Sequence, residues 1–399
     1  MHSSWFKHFI LPGICLAGII FLIGCNGSND PVQPPTDNLE DSGDDPAGSL
    51  PACTEGPFLT ESPVAFADIQ SIVGLGNINP PGHISPTDHI YFYLKTAPDD
   101  YSAALRTDLF SPGELQVTLA IAVQHVESGL TDFTLNLQPC EDITLMFGHV
   151  TSLDSTLFGD TTNFSDWTME DEYDSGTETI RSWSKEMNLS VAAGQLLGTV
   201  GGNPGQFALD VGLFDLSLPP ATMASGRWDN EWYLYARCPL SYFVDGPVRD
   251  ELFRKVTGSE ISGDTDEWCG VLHDDVPGAL QGCWFLQGTT GTFPENNNIS
   301  FTTYNLDPRW ALIGVGDAIA TLPPDAYTFE YETSGSLNLH FDGITADGRI
   351  HGFQPVGAGD QPLILVKMTA PDTLWVEGAE ADTPPDDWAF TAARTVFVR

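Results

Sequence analysis

The chain has 399 residues, with only 15 Lys or Arg against 55 Asp or Glu, giving a formal net charge of −40. So acidic a balance excludes a nucleic-acid partner, because affinity for a phosphate backbone comes from Lys and Arg that displace its counterions. It suits a solvated, secreted surface, and the length leaves room for two folded domains.

Residues 1–25 predict an export signal. An apolar run from Ile10 to Ile23 follows Lys7 and is too short for a stable membrane span. It ends at Leu22-Ile23-Gly24-Cys25, which resembles the lipobox of bacterial lipoproteins. That resemblance implies lipid on Cys25 and anchorage to a membrane the chain does not cross. Asn26, where an inner-membrane sorting signal carries Asp, points by the same resemblance to the outer membrane of a bacterial cell envelope. Residues 26–54 are rich in Asp, Pro, Ser, Gly and Asn and predict a disordered tether.

Beyond the signal, Cys53, Cys140, Cys238, Cys269 and Cys283 remain. Their odd number leaves at least one unpaired. No Cys-x-x-Cys pair exists, so a cysteine zinc site is not expected, whereas disulfides suit an exported chain. Cys269–Cys283 and Cys238–Cys269 are both open pairings.

Residues 55–237 read as an antiparallel β domain. Ile90–Leu94, Val117–Val123, Phe133–Leu137, Ile143–Phe147 and Phe207–Phe214 are apolar or alternating runs bounded by Gly, Pro and Asp. The acidic stretch 154–186 is expected to be a long solvated loop, with Trp167, Tyr173 and Trp183 as the case for a packed flap. Residues 238–264 connect to a second domain and carry one helix, Asp245–Val256, with Asp245 as its cap and Pro247 in its first turn. Residues 265–399 carry short, regularly spaced strand signals, which predict an all-β sandwich or up-and-down barrel. The fold class expected is therefore mainly β, in two domains.

Three segments of the first domain carry candidate chemistry. His83, Asp88 and His89 lie in and just after a Pro- and Gly-rich loop, and imidazole with carboxylate suits a zinc ion. Asp88 and His89 alternate in direction along a strand, so one of them is expected to face a site. His149 follows the Ile143 strand, and Asp210 lies in an apolar strand where an inward carboxylate needs a partner or a metal. His125 reads as a hydrogen-bonded histidine at a strand edge.

The chain here resembles the lysostaphin-type, or LytM-like, zinc endopeptidases of the bacterial cell wall. The middle motif of that family corresponds to Phe147-Gly148-His149-Val150, and its glycine-rich stretch to Val191-Ala192-Ala193-Gly194-Gln195-Leu196-Leu197-Gly198-Thr199-Val200-Gly201. The resemblance spans residues 75–216. It implies a zinc centre with metal ligands drawn from His83, Asp88, His89 and Asp210, and His149 as a catalytic partner. Two departures stand out. The His83-to-Asp88 spacing is one residue longer than the family's, and the family's His-x-His falls on Ala208-Leu209-Asp210. The family's first histidine in that motif is a catalytic partner and its second a zinc ligand, so Ala208 removes one role and Asp210 can keep the other. Three functions are consistent with this: a degenerate, zinc-free module that binds peptidoglycan or regulates a cell-wall hydrolase; an active zinc peptidase with altered ligands; and an unrelated all-β surface lipoprotein. The loss at 208 favours the first.

Overall fold

The computed structural model describes residues 50–54, 56–80, 82–174, 179–228, 231–257, 269–270, 272, 275–292, 294–307, 309–357, 361–381 and 383–399. The export signal with Cys25, and the tether up to residue 49, lie outside the described residues. The protein is mainly β, with two sheet-based cores. The first contains residues from Leu59 to Cys269 and the second residues from Leu280 to Phe397.

The first domain places in chain order β1 (Ile69–Val73), β2 (His89–Leu94), the small separate hairpin β3 (Thr96–Ala97) and β4 (Asp100–Ala104), β5 (Thr107–Phe110), β6 (Leu115–His125), β7 (Leu130–Cys140) and β8 (Ile143–Leu153). The one-turn helix α1 (Ser155–Phe158) precedes β9 (Thr168–Asp174), β10 (Thr179–Val191), β11 (Leu196–Val200) and β12 (Ala208–Asp215). The main sheet runs β1-β2-β12-β8-β7-β6-β10-β9, and β11 joins it between β8 and β5.

Residues 154–186 are therefore not the solvated loop expected from their acidity. Their second half folds as β9 and the start of β10, a hairpin that extends the sheet beyond β6. Apolar contact under the acidic surface explains it. Trp167 is buried against Phe133 and Phe164, and Trp183 stacks on Phe164 at 4.9 Å.

The glycine-rich stretch has a steric cause. Gly194 turns the chain with φ +74°. A Cβ on Gly198 would lie 1.9 Å from the Ser152 carbonyl oxygen, so only glycine lets β11 approach β8.

After β12 come α2 (Glu231–Leu234) and α3 (Pro247–Arg254). Pro247 opens α3 as expected, but the cap is Gly246 without a side-chain hydrogen bond. Asp245 pairs instead with Arg249 at 3.6 Å. Leu252, Phe253 and Val256 bury the helix face in the first core. Disulfides link Cys53 to Cys140 and Cys238 to Cys269, and Cys283 is a free, buried thiol.

The second domain contains β13 (Gly282–Leu286), β14 (Asn298–Thr303), β15 (Trp310–Val315), β16 (Asp325–Glu330), β17 (His351–Phe353), β18 (Leu363–Ala370), β19 (Thr373–Ala379) and β20 (Thr395–Val398). They run β16-β15-β14-β13-β20-β19-β18-β17. The first strand pairs with the last, and single bridges at Glu332–Leu339 and Leu337–Gly352 lead from β16 toward β17. The result is a nearly closed up-and-down barrel. Phe301, Phe329, Phe341 and Phe353 fill its interior, with ring centroids 5.1–6.4 Å apart. Between them, residues 336–341 form no strand and contribute those bridges and the start of a turn of 3-10 helix at Phe341–Gly343.

Candidate metal centre

Five adjacent strands, β2, β12, β8, β7 and β6, each place one imidazole or carboxylate in a single row. In order the row reads His89, Asp210, His149, Asp132 and His125. Neighbouring strands lie about 4.8 Å apart, so side chains of this length on one face meet across the sheet.

Asp210 is the centre of the row. His89 Nε2 lies 3.5 Å from its Oδ2, and His149 Nε2 lies 3.4 Å from the same oxygen. The register makes room for this. Asp210 pairs with Tyr91 on one side and Gly148 on the other, and His89 pairs with Gly212. A Cβ on Gly148 would sit 3.2 Å from the Asp210 Cβ, so glycine keeps the carboxylate unobstructed.

His149 occupies a fork in the sheet. Residues 143–148 of β8 pair with β12, and residues 150, 152 and 153 pair with β11. On the other edge the register with β7 shifts between Phe133 and Leu135. At that change of partner His149 adopts φ +57°, a region a non-glycine residue enters at a cost and most often at functional sites. Its ring spans the row: Nδ1 lies 2.8 Å from Asp132 Oδ2 while Nε2 faces Asp210.

The outer nitrogens of both central imidazoles are held by carboxylates. Asp88 Oδ1 lies 2.8 Å from His89 Nδ1, and Asp132 Oδ2 the same distance from His149 Nδ1. Asp88 is thus turned onto His89, and of the two it is His89 that faces Asp210. Gln206 donates to Asp132 at 2.7 Å, and His125 Nε2 lies 3.8 Å from the other Asp132 oxygen. His83 stands beside His89 with ring centroids 5.8 Å apart, edge to face, and Tyr91 lies against both.

The electrostatics follow from burial and from this alternation. Burial, reinforced by the charge of His89, lowers His83 to about 4, so at neutral pH it is the uncharged imidazole. Burial also disfavours protonated His89, but Asp210 and Asp88 outweigh it and raise that group. Burial opposes ionisation of Asp132, yet the imidazoles of His125 and His149 hold its carboxyl well below the usual range.

The donor set fits a zinc ion pairwise. Ligands about 2.1 Å from a tetrahedral zinc lie about 3.4 Å from one another. The His89–Asp210 and His149–Asp210 spacings match that edge and are too long for good hydrogen bonds. His89 Nε2 is buried and has no hydrogen-bond partner among the described residues. Nδ1 held by a carboxylate is the arrangement that orients a metal-binding imidazole. Among the described residues no three donors are already closed around one metal-sized point.

No family model matches the chain, and no curated protein or solved structure matches it significantly. The geometry of the row is therefore what bears on function. The sequence-predicted residues His83, Asp88, His89, His149 and Asp210 lie together, and Ala208 pairs with Tyr93 one step along the same face. Sequence reasoning missed Asp132. Its signal was the one that singled out Asp210, a carboxylate inside an apolar strand.

Proposed function

We propose that the first domain is a LytM-like, metal-dependent peptidase domain acting on cell-wall peptides, carried on an envelope protein anchored through Cys25. The observation that carries this is the pair of imidazole Nε2 atoms, each backed at Nδ1 by a carboxylate, meeting on one oxygen of Asp210 at 3.5 and 3.4 Å. His89 and Asp210, with His83 beside them, would hold the ion. Zinc bound there supplies a Lewis acid for an acyl carbonyl and for water. His149 takes the role left single by Ala208. It accepts a proton at Nε2 from the attacking water and returns it to the leaving amine. Asp132 fixes its tautomer at Nδ1 and offsets the charge of the imidazolium.

Elemental analysis and titration of the full chain test this. About one zinc per chain is expected, lost when His83 and His89 are both replaced by Ala, together with release of peptide fragments from purified peptidoglycan. A chain that takes up no zinc at saturation overturns the proposal.

A second reading rests on Ala208, which removes one of the family's two catalytic imidazoles. A zinc-free module would bind peptidoglycan or a cell-wall hydrolase, and that binding would survive His149→Ala.

A further inference from the structure

The loop between His83 and Asp88 has no sheet neighbour to satisfy the backbone of its middle residues. Buried backbone groups need partners, and here side chains from beyond the first sheet provide them. Glu295, just before β14, accepts from the Ile84 N–H at 2.8 Å and the Ser85 N–H at 3.0 Å through a single oxygen, Oε2. Ser300, within β14, donates its hydroxyl to the Ile84 carbonyl. Tyr233, in α2, donates to the Pro86 carbonyl, and its ring stacks on Trp228, which in turn packs against Phe285 of β13. The approach is close: a Cβ on Gly314 of β15 would lie 2.7 Å from Ile78 and 3.0 Å from the Ile84 oxygen. Ile84 itself is fully buried. On the other side the loop has backbone bonds of its own, between Asn79 and His83 in both directions and from the Thr87 N–H to the Asn77 carbonyl.

We propose that the barrel domain is the clamp that sets the His83–His89 loop against Asp210, with Glu295 as its positioning residue. This rests on the metal-centre reading above. His89 begins a strand and is fixed by its register to β12, whereas His83 lies at the far end of the loop, bonded to Asn79 on one side and followed on the other by the two amides that the clamp holds. The barrel, whose interior is filled by phenylalanines, then acts through its outer edge. Removing the Glu295 carboxylate frees the two consecutive amides that follow His83 and loosens its placement beside His89.

The test uses the full chain and zinc itself, in competition with a chromophoric chelator. Glu295→Ala is expected to weaken zinc binding by about 10-fold or more, the scale of losing a group that orients a ligand. Glu295→Gln keeps an oxygen acceptor for both amides and is expected to restore affinity to within about 3-fold of the native chain. Ser300→Ala removes one loop contact from inside a buried strand and should give a smaller loss in the same direction, while thermal unfolding verifies that each variant is folded. Folded Glu295→Ala with native zinc affinity overturns the proposal. If the native chain binds no zinc, the metal reading fails separately. Hydrogen exchange at the Ile84 and Ser85 amides then decides the clamp, with faster exchange in Glu295→Ala supporting it and unchanged exchange overturning it.

Discussion

Asp132 holds His149 from behind: its Oδ2 lies 2.8 Å from His149 Nδ1, on the side of the ring away from Asp210. The carboxylate is buried, and its only described close partners are His149, His125 and Gln206. Asp132→Asn keeps the shape but removes the charge and offers an amide where an acceptor stood. Peptidase activity should fall about 10- to 100-fold, and the limb of the pH–rate profile set by His149 should move to lower pH. The fold should lose about 1–3 kcal/mol in denaturant titrations. An unmoved pH profile would show that Asp132 is structural only.

Asp88 does the same for His89. Asp88→Ala leaves the His89 Nδ1 without its acceptor at 2.8 Å. Zinc affinity should drop about 10- to 100-fold while the folded chain persists, as measured by chelator competition. A larger loss, equal to that of Asp210→Ala, would make Asp88 itself a ligand.

His149→Ala separates binding from proton transfer. Zinc content should stay near one per chain, and the turnover of peptidoglycan fragments should fall about 100- to 10,000-fold. Loss of the metal in this variant would instead place His149 among the ligands, since its spacing to Asp210 nearly equals that of His89.

Gly148→Ala probes the room around Asp210. The new Cβ would stand 3.2 Å from the Asp210 Cβ and 3.5 Å from its Oδ2. Overpacking of this kind costs about 1–3 kcal/mol, and displacement of the carboxylate should weaken zinc binding. Melting and zinc titration of the variant read both effects, and native values for both would show that the approach is not a constraint.

Glu295 gives stability a pH dependence. Burial raises its carboxyl to about 7, from an ordinary value of 4.5. A raised folded value means the folded state holds the proton more tightly than the unfolded chain. The contribution is fully present below about 4.5 and is lost as pH rises through about 7. The range corresponds to at most about 3 kcal/mol, less where water reaches the partly buried carboxylate. Native stability minus that of Glu295→Gln, measured by denaturant titration between pH 4.5 and 8, should decline across that window. A flat difference would contradict it.

Much of this was legible along the chain. Apolar alternation marked most strands, because a half-buried sheet imposes a period of two on its residues. The helix at residues 247–254 showed in Pro247 at its first turn. Two features were hidden by their chemistry. The acidic residues of 154–186 looked like solvated loop, because the charges outnumber the few aromatics, Phe164, Trp167 and Trp183, that anchor the hairpin. Asp245 looked like a cap because of its type, whereas its side chain pairs with Arg249 and Gly246 takes the capping position.

The sequence by itself determined the mainly β class, the acidic surface and the set of His83, Asp88, His89, His149 and Asp210 as residues of interest. Those follow from composition, local periodicity and motif spacing, all of which are written within short windows. Only the tertiary structure decided that His89 rather than Asp88 faces Asp210, that Asp132 stands behind His149, and that Glu295 holds the loop of His83 from more than two hundred residues away. Each of these depends on which strands become neighbours and in what register. Contacts across a sheet or between domains leave no periodic trace in the chain, so no window of sequence contains them.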